Sequence, residues 1–271
     1  MPEGDTVFVH AQLLSPRLVG RTVTHAFSRW PAVVQGVVGR TVTTLEPIGK
    51  HLLIGLDDRT TLRVHLGMKG KWSRLPPGER ARVMPGNVSL RLDTKEDGLL
   101  CTKAPTVERF RTRERRIHPV LSRLGPDVLD PDFEPDSVLP RLGRATEAVT
   151  VSEVLLDQRV ACGIGNVYKS EVCFALRLDP FTPPAAVEAE QWVGLYLKSQ
   201  TWMRANCRSA PRNTTGFGRG QPRLWVYGRR GRPCLVCRTR VQAKVHGRDL
   251  PRVTYWCSTC QPRYGSALEA P

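Results

Sequence analysis

Two pairs of cysteines in the last quarter of the chain have the spacing of a metal site. They form two Cys-x-x-Cys motifs with 19 residues between them, and the four residues are Cys234, Cys237, Cys257 and Cys260. Each pair fits on a tight turn, and four thiolates suit a tetrahedral Zn2+ with a β-hairpin between the pairs. Because cysteines would fill all four positions, this zinc has no place for a reacting water and is predicted to be structural.

The N-terminal Met1-Pro2-Glu3 has the residue types for covalent chemistry. Removal of Met1 would leave Pro2 with a secondary amine, which can add to an aldehyde-like sugar carbon and form an iminium. The positive end of a following helix would favour the neutral amine and an ionised Glu3. An amine beside a carboxylate that moves protons is sufficient for a lyase, although an ordinary start site gives the same three residues.

Three further residues are candidates for contact with a phosphate or a duplex. Gly163-Ile164-Gly165-Asn166 is a glycine turn ahead of a predicted helix. The unpaired N–H groups at the start of that helix suit a phosphate, although simple capping of the helix by Asn166 explains the same motif. Lys50 precedes a predicted strand and could hold a phosphate or extend into solvent. Met68, flanked by glycines, is predicted to lie on a loop as an apolar wedge, with a core position as the alternative.

The net charge indicates a polyanionic partner. The chain has 41 Lys and Arg against 25 Asp and Glu, a formal net charge of +16, and residues 201–271 hold 14 basic and two acidic residues. Nucleic acid is therefore the expected partner, and Arg248 and Arg252 on the predicted zinc hairpin could reach it or simply be solvated. No apolar run of about 18 residues is present, and acids stand where a secretory signal is basic, so we expect a cytoplasmic, nucleoid-associated protein with no membrane partner.

The hydrophobic pattern predicts a β-rich first half and a helical second half. Apolar residues with helical spacing predict a first helix with Asp5 as its N-cap and Pro16 as its end. Alternating apolar and polar residues at 62–66 and 88–92 predict half-buried antiparallel strands. The acidic, proline-containing segment Asp127–Asp136 is predicted to be an unpacked linker. Beyond it we expect three helices, at Val151–Gln158, Val167–Leu176 and about Ala186–Ala205. A mobile basic loop is expected to follow at 207–223.

Taken together, these segments resemble the formamidopyrimidine-DNA glycosylase and endonuclease VIII family of bifunctional base-excision DNA glycosylases. The resemblance spans nearly the whole chain, and the order and spacing of its pieces make it specific. The matching pieces are Pro2-Glu3-Gly4, Gly49-Lys50-His51-Leu52, His65-Leu66-Gly67-Met68, Arg109-Phe110, Leu124-Gly125-Pro126, the run from Gly163 to Glu171, Val226-Tyr227-Gly228-Arg229, and the four cysteines with Arg252.

The resemblance implies an α+β fold. It comprises an N-terminal helix plus a two-layered β-sandwich, then a helical helix-two-turn-helix domain with a C-terminal zinc-finger β-hairpin. We therefore expect a catalytic domain at 1–120, a linker at 121–136, a DNA-binding domain with the basic loop at 137–222, and the zinc finger at 223–264. DNA would bind to a monomer, in the cleft between the domains.

The resemblance also implies a catalytic set of Pro2, Glu3 and Lys50. Pro2 would attack C1′ of the damaged nucleotide while Glu3 gives and takes protons. The base leaves, and β- then δ-elimination cuts the strand on both sides of the sugar. Lys50, Asn166 and Arg252 would hold phosphates around the lesion. The other implied contacts to double-stranded DNA with oxidised bases or abasic sites are His65, Met68 as the wedge, Arg109 and Phe110.

Departures from the family pattern favour the endonuclease VIII branch, whose substrates are oxidised pyrimidines. The 8-oxoguanine branch begins Pro-Glu-Leu-Pro-Glu, whereas Gly-Asp-Thr follows Glu3 here. That branch has Arg-Arg-Phe in a loop that reads the opposite base, whereas Glu108 precedes Arg109-Phe110 here, and a carboxylate cannot donate a hydrogen bond to cytosine. Thr6 replaces a glutamate common to both branches, and Glu171 is a further candidate for the proton relay.

A zinc-ribbon protein that binds bent or damaged DNA without cutting it is the alternative. The net charge, the zinc finger and the glycine turn describe binding only, so they fit both hypotheses. Pro2 and Glu3 discriminate between them, because a protein that only binds DNA has no use for a secondary amine beside a carboxylate.

Overall fold

The first helix, α1, begins immediately after the Pro2-Glu3 pair. In the computed structural model, which describes residues 1–76, 78–79, 82–208, 211–247 and 251–264, α1 spans Gly4–Leu18. Its N-cap is Glu3, so the prediction that Asp5 caps the helix is wrong; Asp5 lies in the first turn and accepts a hydrogen bond from the Thr6 N–H at 2.7 Å. The helix also continues past Pro16, because a proline in the last turn removes only one internal hydrogen bond.

The rest of the first half forms two antiparallel four-stranded sheets, as the α+β prediction requires. The strands are β1 (His25–Phe27), β2 (Val42–Ile48), β3 (His51–Leu56), β4 (Thr60–His65), β5 (Lys71–Leu75), β6 (Val88–Asp93), β7 (Gly98–Thr102) and β8 (Thr106–Arg111), and a short helix α2 spans Pro31–Val34. One sheet has the order β2-β3-β4-β8 and the other β1-β6-β7-β5.

The core of this half is apolar side chains from both sheets and from α1. It includes Val7 and Leu14 of the helix, Ile54 and Leu62 of one sheet and Leu92 of the other, all with 5% or less of their surface exposed. Two strands differ from the half-buried pattern predicted for them: β4 is buried along all but its two ends, and β6 at every position but Arg91. For β4 the reason is a polar network on the second face of its sheet, described below.

The second half begins at Leu124 and contains the segment predicted to be a linker. Contacts divide the chain into one unit at Met1–Arg123 and another from Leu124 onward. Val128 and Phe133 of the acidic segment are buried, and the Gly125 N–H donates to the Gln158 carbonyl at 2.8 Å. The expectation of an unpacked linker is therefore wrong for this segment, because its few apolar residues supply a small core that its acids and prolines surround.

The second unit is helical and ends in a two-stranded hairpin. Its helices are α3 (Val151–Val154), α4 (Asn166–Ala175) and α5 (Ala189–Asn206), and its hairpin pairs β9 (Gln242–His246) with β10 (Arg252–Trp256). α4 and α5 agree with the predicted helices to within three residues, whereas α3 ends four residues early. Short 3-10 turns occupy Pro85–Asn87, Thr112–Ile117, Leu121–Arg123, Pro135–Arg144 and Pro184–Ala186.

The segment predicted as a mobile basic loop is closed at its base. The Thr214 and Thr215 N–H groups both donate to the Arg223 carbonyl, at 2.8 and 3.2 Å, and the Asn213 side chain donates to the Phe217 carbonyl at 3.1 Å. Its mobility stays a prediction.

Among the described residues, no helix is long and apolar enough to cross a membrane.

Candidate active site and nucleic-acid contacts

Pro2 and Glu3 lie at the N-terminal end of α1, as their predicted chemistry requires. Glu3 has none of its surface exposed, and its backbone N–H donates to Thr6 Oγ1 at 3.4 Å. Thr6 thus forms a capping box with Glu3 where the family pattern has a glutamate. The unpaired N–H groups and the positive end of the helix favour a carboxylate at this point. The structure therefore places a buried acid directly after the predicted nucleophile.

Lys50 occupies a two-residue turn that joins β2 to β3. The turn is Gly49-Lys50, and the flanking Ile48 and His51 pair across the hairpin. Lys50 is half-buried; burial lowers the pKa of both His51 and His65, and the charge of Lys50 adds to the effect. The turn thus places Lys50 directly before His51, whose ring centre lies 4.9 Å from that of the predicted DNA contact His65.

A polar network covers the second face of the sheet behind this turn. Buried Arg63 on β4 forms an ion pair through Nε with Glu108 on β8, and its Nη1 donates to His51 Nδ1 at 3.0 Å. His118 Nε2 donates to the same Glu108 oxygen at 2.7 Å. The network explains why both faces of β4 are covered, since Arg63 and Glu108 are paired in register across the two strands.

The hydrogen bonds fix the tautomers of two histidines. The Val120 and Leu121 N–H groups donate to His118 Nδ1, at 3.1 and 3.2 Å, so its proton is on Nε2 and points at Glu108. A guanidinium can only donate, so His51 accepts at Nδ1 and holds its proton on Nε2. Burial lowers the pKa of His51 to about 2 and that of His65 to about 4, with the neighbouring cations adding to the effect. Both rings are neutral at physiological pH.

Met68 lies on the loop between β4 and β5, with 63% of its surface exposed, so the alternative of a core position is wrong. The turn needs its glycines. Gly67 has a φ of +59°, and a Cβ there would lie 2.7 Å from the Pro105 ring. A Cβ at Gly70 would lie 2.3 Å from the Leu66 carbonyl oxygen. This backbone holds an exposed apolar side chain shortly after His65, which is the arrangement expected of a wedge.

Arg109 and Phe110 lie within strand β8, and not in a loop like the one that reads the opposite base in the 8-oxoguanine branch. Arg109 Nη2 binds Asp58 at 2.6 Å and its Nε donates to Thr60 Oγ1 at 2.9 Å, while Phe110 packs on the ring of His118 at 4.9 Å. The alternation of residues 106–111 was a signal for a strand that the sequence motif obscured. Their contact with DNA stays a prediction, and these partners give it no support.

In the second unit, Asn166 is bound to the backbone of the residue that follows Arg252. Asn166 is the first residue of α4, with Gly165 as N-cap, and its Nδ2 donates to the Val253 carbonyl at 2.8 Å. Lys169, one turn later, donates to Thr254 Oγ1 at 2.7 Å, so α4 is bound along β10. An amide nitrogen carries two hydrogens, so Asn166 keeps a second donor for a phosphate oxygen beside half-buried Arg252. Arg248, the other predicted contact on this hairpin, lies outside the described residues.

The four predicted zinc ligands converge. Their Sγ atoms all lie within 4.8 Å of one another, with Cys234 and Cys260 at 3.9 Å and Cys237 and Cys257 at 3.3 Å. Zn–S bonds of about 2.3 Å in a tetrahedron place sulfur atoms about 3.8 Å apart, so this donor set fits a structural zinc. The cluster lies at the base of the β9–β10 hairpin and would hold it.

Glu171, suggested as part of the proton relay, has a structural role instead. Its buried carboxylate accepts backbone hydrogen bonds from Trp225 at 2.7 Å, Val226 at 2.9 Å and Tyr227 at 2.8 Å, and one from the Thr214 hydroxyl. These four donors occupy its acceptor positions. Glu171 therefore shapes the chain before the zinc motif.

Comparisons with known proteins agree with this geometry. Residues 1–108 match the family model of the formamidopyrimidine-DNA glycosylase N-terminal domain, and residues 124–212 match that of its H2TH domain. The chain is 40% identical to the probable endonuclease 8 2 of Streptomyces coelicolor over 96% of this chain and 94% of that protein. It is 34% identical to the DNA-(apurinic or apyrimidinic site) lyase Nei2 of Mycolicibacterium smegmatis over 96% of this chain and 99% of that protein.

A solved structure has the same fold. The crystal structure of MutM (Fpg) from Thermus thermophilus superposes with a TM-score of 0.79 at 29% identity, covering 96% of this chain and 98% of that chain.

The fold, the site and these matches define a DNA-repair enzyme of the glycosylase and AP lyase class. More narrowly, the chain belongs to the formamidopyrimidine-DNA glycosylase and endonuclease VIII family. The alternative of a zinc-ribbon protein that binds DNA without catalysis is not supported.

Proposed function

We propose that this enzyme removes oxidised pyrimidines from double-stranded DNA through an iminium formed on Pro2. The observation that carries the proposal is the buried carboxylate of Glu3, placed directly after Pro2 at the positive end of α1. Once Met1 is removed, the Pro2 nitrogen attacks C1′ and the bond from C1′ to the base breaks. The proton of the Pro2 nitrogen then passes through Glu3 to O4′, and cleavage of the C1′–O4′ bond opens the sugar ring and leaves the iminium. Glu3 supplies the proton that the departing base takes and later accepts protons from the sugar.

Strand cleavage follows from the same covalent intermediate. An iminium acidifies the protons at C2′, so their loss expels the 3′ phosphate, and a second elimination expels the 5′ phosphate. Lys50 holds one phosphate beside the predicted DNA contact His65, whose strand neighbour His51 follows Lys50 in the chain. Asn166, bound to the backbone next to Arg252, and Arg252 itself hold others. Met68 fills the space that the extruded nucleotide leaves, which offsets part of the cost of unstacking.

Two observations support pyrimidine substrates. Two relatives named above are called endonuclease 8 and Nei2, and Glu108 forms an ion pair with Arg63 and accepts a hydrogen bond from His118 rather than being directed at a base. An arginine that pairs with cytosine opposite 8-oxoguanine has no counterpart at this position.

We further propose that a structural zinc is held by Cys234, Cys237, Cys257 and Cys260. The zinc finger spans 223–264 and follows a DNA-binding domain at 137–222. The enzyme acts as a monomer in the cytoplasm.

The substrate class is tested with matched duplexes. One strand carries an oxidised pyrimidine, 8-oxoguanine opposite cytosine, or an abasic site, and borohydride is added during the reaction. We expect a covalent complex with the abasic and oxidised-pyrimidine duplexes, and at least about tenfold slower excision of 8-oxoguanine, because the reading arginine is missing. Equal or faster excision of 8-oxoguanine opposite cytosine would place the enzyme in the other branch.

The zinc finger is predicted to contribute affinity and not bond breaking. Cys257→Ala removes one of four thiolates, so we expect loss of zinc and disorder of the β9–β10 hairpin. Arg252→Ala keeps the thiolates and is expected to retain zinc, while binding weakens and the salt dependence falls by about one unit of slope. Zinc content and binding across a salt series measure both effects. A zinc-free Arg252→Ala protein, or a Cys257→Ala protein with full zinc, would contradict the assignment.

A further inference from the structure

A cavity of about 540 Å³ in the second unit is lined by four arginines. They are Arg212, Arg223, Arg229 and Arg232, and Tyr227 also lines the cavity. No carboxylate is among its described lining residues. None of these five residues has a part in the function proposed above. The positive charges of arginines around one opening repel one another, and a bound anion would reduce this repulsion. The cavity therefore favours an anionic ligand.

Arg229 is fixed in the wall of this cavity. Its Nη2 donates to the Pro233 carbonyl at 2.9 Å and its Nη1 to the Trp225 carbonyl. Arg232, which is exposed, lines the same cavity, and a guanidinium stays charged at any working pH. The wall thus presents two positive charges, one of them held by two hydrogen bonds.

Arg212 is held on the opposite chain segment by an aromatic ring. Its guanidinium carbon lies 4.8 Å from the centre of the Tyr168 ring. Tyr168 is fully buried on α4, and its hydroxyl accepts a hydrogen bond from Asn206 at 3.0 Å. The stacked guanidinium of Arg212 lines the cavity and keeps its positive charge.

The backbone around the cavity is also fixed. The Arg223 carbonyl accepts the two hydrogen bonds that close the basic loop, and Glu171 binds the three N–H groups of residues 225–227. The Arg223 and Arg232 side chains are exposed at the cavity, so a ligand can reach them. The site is therefore formed before any ligand arrives, which lowers the entropic cost of binding.

We infer that this cavity is a binding site for a phosphate-type oxyanion. Guanidinium groups match such a group because each can donate two parallel hydrogen bonds to its oxygens. The oxyanion could be a phosphate of the bound DNA strand, additional to those assigned to Lys50, Asn166 and Arg252, or a free phosphate ion. The inference of an oxyanion site goes beyond the proposed function and does not depend on Pro2 chemistry.

The test compares two double variants with the same change of charge. Arg223→Ala/Arg232→Ala removes two cavity arginines whose side chains make no hydrogen bond to the described residues. Arg219→Ala/Arg230→Ala removes two exposed arginines of the same region that do not line the cavity. Binding to a duplex with a stable abasic-site analogue is measured from low to high salt, and thermal unfolding is measured in sodium phosphate and in sodium chloride of equal ionic strength. Borohydride trapping is measured on all proteins.

If a strand phosphate is the ligand, we expect the cavity variant to bind DNA at least about tenfold more weakly, with its salt slope reduced by about one to two units. The control variant should keep the slope to within about half a unit. If free phosphate is the ligand, phosphate at about 20 mM should raise the melting temperature of the parent and control proteins by about 3 °C, but not that of the cavity variant.

Equal DNA binding and equal phosphate response in the two double variants would overturn the inference. The trapping measurement separates this result from a failure of the proposed function. If the parent protein forms no covalent complex while phosphate still stabilises it through these arginines, the Pro2 mechanism is wrong and the oxyanion site stands. If trapping is normal while the two double variants behave alike, the Pro2 mechanism stands and the oxyanion site is wrong.

Discussion

A protein that retains one residue ahead of Pro2 will form no borohydride-stable complex with abasic DNA. An acylated proline nitrogen has no lone pair available for attack, so the iminium cannot form and trapping should fall by at least about a hundredfold. The measurement is the yield of covalent complex with an abasic duplex, on protein whose N-terminus has been established by intact mass. DNA binding should remain, because the phosphate contacts lie elsewhere.

Pro2→Ala is the matched control for this experiment. It leaves an amine at the same position on α1, but a primary one, so we expect trapping to be reduced and not abolished. If the blocked protein is trapped as well as the processed one, the nucleophile is a lysine side chain, and Lys50 becomes the first candidate.

Glu3→Gln will bind lesion DNA nearly as the parent protein does and lose excision of the damaged base. The amide has nearly the same shape and can still accept hydrogen bonds at the helix N-terminus, but it cannot give or take a proton. Loss of a general acid of this kind slows the chemical step by about 10²–10⁴-fold. Single-turnover excision and equilibrium binding, measured on the same duplex, separate the two effects.

Glu188→Gln provides a matched control, because Glu188 is the N-cap of α5 and forms a capping box there. Both substitutions remove a carboxylate from a helix N-terminus, so any general effect on folding or dipole should appear in both. Excision by Glu3→Gln at the parental rate, or an equal loss in Glu188→Gln, would show that Glu3 is not the proton donor.

The sequence predicts the helices, the cysteine cluster and the Met68 loop, because these features are determined by residues close together in the chain. Helical spacing indicates α1, α4 and α5, and the two Cys-x-x-Cys pairs indicate a cluster that the structure brings within metal-binding distance. The exposed loop of Met68 follows from its glycines. The acidic segment was misjudged because three apolar residues, at positions 128, 129 and 133, decide its packing against a majority of polar ones.

The polar network in the first sheet could not be predicted in the same way. Arg63 and Glu108 are 45 positions apart, and they meet only because β4 and β8 pair in one particular register. A shift of one residue would move Glu108 to the other face of the sheet. The family resemblance predicts that Arg109 and Phe110 contact DNA, whereas strand pairing places them against Asp58 and His118.

The neutral state of His51 and His65 has a consequence for the behaviour of the protein in acid. In the unfolded chain both imidazoles take up a proton near pH 6.5, whereas in the folded protein His65 does so near pH 4 and His51 near pH 2. Between these values the unfolded state binds more protons, so the free energy of unfolding falls as the pH drops below about 6.5. Strands β3 and β4, which carry these two histidines, are therefore expected to lose stability in acid, while around neutral pH neither imidazole changes its charge.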